Sequence, residues 1–88
     1  AQATDAVVVQ SHSTFDTNAV TIKTGDTVTF KNSDDYRHNI QIINAAGLVN
    51  DKGLQTADQD IKETFRATGN YTVHCAIHPA MAMAINVQ

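Results

Sequence analysis

Tyr71-Thr72-Val73-His74-Cys75-Ala76-Ile77-His78-Pro79-Ala80-Met81 is the stretch whose reading decides the fold. Its first five residues alternate as a strand, with Tyr71, Val73 and Cys75 on one face and Thr72 and His74 on the other. The chain's only cysteine therefore closes an apolar row at the inner end of a strand. Past it, a short loop carries a histidine three residues on and a methionine three further on.

The same alternation recurs outward from this stretch. Short runs rich in Val, Ile, Thr and Phe lie between Gly, Asn and Asp punctuation, the pattern of an all-β sandwich or barrel. Strands are predicted near Ala6 to Gln10, Val20 to Lys23, Thr27 to Lys31, Asn39 to Ile43, Ile61 to Arg66, Tyr71 to Cys75 and Met83 to Val87. Gly25-Asp26 forms a tight turn, and Gly69-Asn70 opens the strand leading to Cys75. Parity sets Met83, Ile85 and Val87 on an inner row, with Val28 and Phe30, and Val20 and Ile22, as opposing core rows. Residues 44–60 have no clear period and read as a surface excursion, with at most one helical turn at Ala57-Asp58-Gln59-Asp60. No repeat, linker or low-complexity tract divides residues 1–88, so one domain is expected.

With 88 residues and 42% hydrophobic content, the chain is near the small end of what folds without a staple. A ligand that binds only the folded state would help to hold it. One cysteine excludes an intramolecular disulfide, leaving the thiol reduced and buried, bound to a metal, or free to pair between chains. No run approaches the roughly 20 apolar residues needed to cross a bilayer. Ala1-Gln2-Ala3-Thr4 lacks the basic start and apolar core of a secretory signal, and its small polar character suits a soluble, mature form after signal removal. The formal charge of -3, with no Lys/Arg cluster, argues against nucleic acid and anionic membrane as partners.

The donor atoms point to a metal. Taken singly, Cys75 reads as a small buried apolar residue, and His78 as a surface or satisfied polar group. Together with His38-Asn39 upstream, they assemble a thiolate, two imidazoles and a thioether. Soft thiolate and thioether ligands favour Cu(I), and imidazoles suit both copper oxidation states. A trigonal His2Cys plane with a weak axial Met is a compromise that neither state prefers outright. Three of these groups ride on one loop, so the fourth, His38, has to arrive from another strand. His12, in the Ser11-His12-Ser13-Thr14 turn, and His74, off the Cys75 face, read as solvated. Tyr36 and the Asp34-Asp35 pair read as a solvated loop.

From about Phe15 to Gln88 these residues resemble the cupredoxins, the small blue copper proteins. Val20-Thr21-Ile22-Lys23-Thr24-Gly25-Asp26-Thr27-Val28-Thr29-Phe30-Lys31-Asn32 is similar to the family's strand-turn-strand. Arg37-His38-Asn39-Ile40 is similar to the segment that bears its first histidine. Cys75-Ala76-Ile77-His78-Pro79-Ala80-Met81 matches the branch with the shorter ligand loop. The resemblance implies a Greek-key β-sandwich of about seven to eight strands, with one copper ion at one end held by His38, Cys75 and His78, and with Asn39 tying the first-histidine segment to the cysteine loop. The axial position has two claimants. Met81 matches the short-loop spacing and the residue count to the last strand and is the expected axial ligand, while Met83 matches the longer loops of other members.

The resemblance also implies an apolar docking patch around His78, including Pro79 and Ala80, with redox proteins such as a dehydrogenase or a c-type cytochrome as donor and acceptor. The expected function is a mobile, monomeric one-electron carrier in the periplasm or an equivalent oxidising space. Copper buffering or delivery would use the same ligands. An enzyme with Cys75 as nucleophile lacks a visible oxyanion or acid element, and an oxidase would need further copper sites, so a non-enzyme is expected.

Overall fold

Alternating inward residues organise the chain into two facing sheets. The computed structural model describes residues 5–78 and 81–88, and among them nine strands follow in order. They are β1 (Asp5–Ser11), β2 (Thr14–Phe15), β3 (Ala19–Ile22), β4 (Thr27–Asn32), β5 (His38–Ile43), β6 (Val49–Gln55), β7 (Asp60–Thr64), β8 (Gly69–His74) and β9 (Ala82–Val87). One sheet has the order β2-β1-β4-β7 and the other β3-β9-β8-β5-β6. Each contains one parallel pair, β1 with β4 and β3 with β9, so both sheets are mixed. No helix among the described residues is long and apolar enough to cross a membrane.

The inner rows follow parity. Met83, Ile85 and Val87 face Val8, Val28, Phe30 and Ile61 across a core that also takes Ile22, Ile40, Ile42, Phe65 and Val73. Phe15 packs its ring edge against Phe30 at 6.5 Å. Thr29 departs from strict alternation, being buried between Val28 and Phe30, because β4 is an interior strand with β1 on one side and β7 on the other.

Residues 44–60 are not an excursion. They contain β6, which pairs with β5 at the edge of its sheet, and no helix forms at Ala57 to Asp60. The strand was hidden for two reasons. It is mostly exposed, Leu54 and Val49 each by 56%, so it lacks an apolar row. It is also bulged: Asn39 pairs with Leu54 and Gln41 with Asp51, which sets Lys52 and Gly53 opposite Ile40 alone and shifts parity by one. Gly53, at φ +88°, takes the left-handed backbone that the bulge requires. The two-residue β2 also adds to the strands expected.

Antiparallel pairing of β5 with β8 positions the candidate ligands named from the sequence. β5 begins at His38 and β8 ends at His74, so the start of one and the end of the other meet at the same end of the sheet. The connection from β8 to β9 then crosses that end.

Candidate metal centre

Cys75 follows directly on β8 and is fully buried, because it continues the inner row of Tyr71 and Val73. Its thiol accepts the backbone N–H of Asn39 at 3.2 Å. His38 opens β5 and is equally buried. His78 is half-buried on the loop. The three sequence-predicted ligands that come from two separate segments are thus brought together: His38 Nδ1 lies 3.1 Å from His78 Nδ1, and Cys75 Sγ lies 3.9 Å and 3.8 Å from them. Among the described residues this is the one cluster of such side chains able to hold a metal ion.

The triangle passes a simple test of fit. Sides of 3.1, 3.8 and 3.9 Å have a circumradius of about 2.1 Å, and the equidistant point lies inside the triangle. Bonds to a divalent ion of similar size, zinc, run at about 2.0–2.1 Å from imidazole and about 2.3 Å from thiolate. One ion fits between the three atoms, and two imidazoles with a thiolate suit copper.

Met81 is buried, with 1% exposed. Its carbonyl accepts the Cys75 N–H at 3.4 Å and its own N–H donates to the His78 carbonyl at 2.9 Å, which ties it to both predicted ligands of the loop. Met83 instead lies in β9 opposite Val73, within the hydrophobic core. Pro79 and Ala80 lie outside the described residues.

Asn39 ties the two ligand segments together. Its side-chain carbonyl accepts the Ala76 N–H at 3.2 Å, while its amide donates to Asp51 at 2.8 Å and to the Gly53 carbonyl at 3.0 Å. The bulge in β6 thus presents the carbonyl that fixes Asn39, and Asn39 fixes the loop. Asp51, which also takes bonds from Gln41 and the Gly53 N–H, has its carboxyl held below the usual range, chiefly by Gln41 and then by Gly53 and Asn39.

Asp34, read as solvated, proves otherwise, whereas Tyr36 is exposed as expected, by 41%, and still packs against both histidines. The Asp34 side chain is only 9% exposed and receives His38 Nε2 at 2.7 Å. Its burial raises the carboxyl pKa, but this is outweighed by bonds from His38 and from the Ser13 and His12 amides and by the attraction of His38, leaving it at about 2. Tyr36 sets its ring 5.2 Å from that of His38 and 5.5 Å from that of His78, and its hydroxyl meets Ser13 Oγ at 2.6 Å. The nearness of the Asp34-Asp35 charge to His38 in sequence was the available signal for the first; nothing in the local pattern marked the ring contacts of the second. His12 and Asp35 are exposed and His74 is half-buried.

Comparison with known proteins agrees with this geometry. The model of the family described as copper binding proteins, plastocyanin/azurin family, matches residues 3–88. Amicyanin of Paracoccus denitrificans is 31% identical over 78 residues, 84% of this chain and 58% of that protein; the chain therefore spans little more than half the length of that relative. Amicyanin is the short-loop branch to which the ligand spacing pointed. A Cu(I) structure of an amicyanin mutant superposes with a TM-score of 0.86 at 26% identity, covering 94% of this chain and 81% of the other. The crystal structure of amicyanin from Paracoccus versutus also gives 0.86, at 29% identity over 94% and 80%. The chain belongs to the plastocyanin/azurin family of copper-binding proteins, with copper as its cofactor and His38, Cys75 and His78 placed for a single ion.

Proposed function

We propose that the protein is a mobile one-electron carrier with a mononuclear copper site, in which His38, Cys75 and His78 are the equatorial ligands and Met81 the axial one. The observation that carries this reading is the convergence of two imidazole nitrogens and a buried thiol on one point at the end of the sheet. The burial of Met81 and its backbone ties to Cys75 and His78 support the axial assignment, as does the placing of Met83 in the core.

Copper bound there supplies the Cu(II)/Cu(I) couple in a ligand set that neither state prefers outright. The chain's own residues supply rigidity and access. The Asn39 N–H holds Cys75 Sγ, and the Asn39 side chain holds the loop, so the donor atoms keep their places when charge changes. Burial of His38 and Cys75 keeps water from the thiol. His78 reaches a surface groove shared with Tyr36, Arg37, Leu54 and Ile77, which offers an electron a short exit. Such a small apolar patch suits brief redox encounters that bury little area. Donor and acceptor redox proteins, a dehydrogenase or c-type cytochrome among them, a periplasmic setting, a single monomeric domain and the absence of enzymatic turnover complete the reading.

Addition of one equivalent of Cu(II) is expected to produce an intense visible thiolate-to-copper band, and Cys75→Ser to abolish it while the fold persists. A colourless native protein, or colour retained in Cys75→Ser, sinks the proposal. Reversible voltammetry with copper retained in both states would separate an electron carrier from a delivery protein, which releases one of them.

A further inference from the structure

We infer that Asp34 is a positioning residue of the metal centre: its buried carboxylate accepts the Nε2–H of the ligand His38 and at the same time holds the β1–β2 hairpin, joining that hairpin to the site. The inference rests on the copper reading above for the ligand role of His38.

Asp34 lies between β4 and β5, four residues before His38. Oδ2 accepts from His38 Nε2 at 2.7 Å and from the Ser13 N–H at 3.1 Å, and Oδ1 accepts from the His12 N–H at 2.7 Å. Its own N–H donates to Asn32 Oδ1 at 2.9 Å, and Asn32 is itself anchored to the carbonyls of Tyr36, Gln55 and Thr56. The carboxylate is thus held by three bonds and its backbone by a fourth, rather than resting against the histidine by chance.

The hairpin explains part of this. His12 and Ser13 have φ of 54° and 57°, the left-handed pair of a type I′ turn, which Asn-Gly adopts readily and other residues adopt at a cost. Asp34 stabilises the turn by taking both amide hydrogens. Capping the turn does not require the second bond of Oδ2, which goes to a ring that is fully buried.

That bond has a chemical consequence. A neutral imidazole donating through Nε2 carries its lone pair on Nδ1, and Nδ1 is the atom that faces Cys75 and His78. The carboxylate therefore selects the tautomer that can ligate, and it makes the ring a stronger donor, as carboxylate partners of metal-bound histidines do. A stronger donor favours the more highly charged ion. Asp34 therefore tightens Cu(II) binding and lowers the reduction potential.

The test uses a background in which the turn no longer needs the carboxylate, His12→Asn with Ser13→Gly, and compares it with and without Asp34→Asn. The background is expected to retain the Cu(II) affinity and potential of the native protein. Adding Asp34→Asn is expected to weaken Cu(II) by roughly 10–100-fold and to raise the potential. In the copper-free form, nitrogen NMR of His38 is expected to pass from the Nε2–H tautomer to a mixture. Unchanged affinity and potential overturn the inference, as does a tautomer that ignores the substitution. A native protein that binds no copper would sink the proposed function instead, while the copper-free NMR would still decide whether Asp34 sets the His38 ring.

Discussion

Met81 and Met83 lie two residues apart on the same side of the chain, and only their surroundings separate them. Met83 fills core space opposite Val73, where leucine conserves volume at a cost under about 1.5 kcal/mol. Met81 is tied to Cys75 and His78 by its own backbone bonds. Met81→Leu is therefore expected to raise the reduction potential and alter the visible spectrum, and Met83→Leu to leave both nearly unchanged, as voltammetry and absorption would record. A larger effect at Met83 would reverse the axial assignment. Asn39 invites a different measurement, because its side chain makes three bonds from a buried position. Asn39→Ala removes all three, and we expect a loss of about 2 kcal/mol in the urea stability of the copper-free protein, given about 0.5–1.5 kcal/mol net for each hydrogen bond.

At the scale of elements, β6 shows why an edge strand escapes a reading by alternation. Most of its side chains face solvent, Gln55 excepted, and its bulge at Lys52-Gly53 shifts parity midway. The same bulge is functional architecture, since it aims the Gly53 carbonyl at Asn39. Asp51 beside it has a folded-state pKa below its ordinary value. The sign follows directly: stabilisation is full above the unfolded pKa of about 3.9 and is lost as pH falls through the lowered folded one. The urea midpoint of the copper-free protein should therefore drop on acidification below about pH 4, and Asp51→Asn should make that drop shallower. A slope that Asp51→Asn leaves untouched would remove Asp51 from the acid response. By contrast, β8 and β9 were legible almost to the residue, because both run through the middle of a sheet with one face on the core.

Across the whole molecule, the two sheets share one apolar layer, and the metal centre closes one end of it. Phe30 is fully buried in that layer with Phe15 against its edge. Phe30→Ala is expected to cost about 3–5 kcal/mol, a large share of what so small a domain has. If that loss propagates to the site, it should appear as weaker copper retention. Equilibrium unfolding of the copper-free and copper-bound forms would measure both, and a loss below about 1 kcal/mol would contradict the close packing inferred for the core.

By itself the sequence determined the all-β class, the inner faces of most strands, and the spacing that sets Cys75, His78 and Met81 as candidate donors on one short segment. Those follow from period-two alternation and from spacing along a single segment, which are local properties. His38 was named in the sequence as arriving from another strand, but the tertiary structure alone decided how closely it meets Cys75 and His78, that a bulged edge strand secures Asn39, and that Asp34 and Tyr36 sit against the histidines. Each of these depends on residues from strands and turns far apart in the chain. Such contacts arise from sheet order and register, and no local pattern of polar and apolar residues encodes which loop ends will meet.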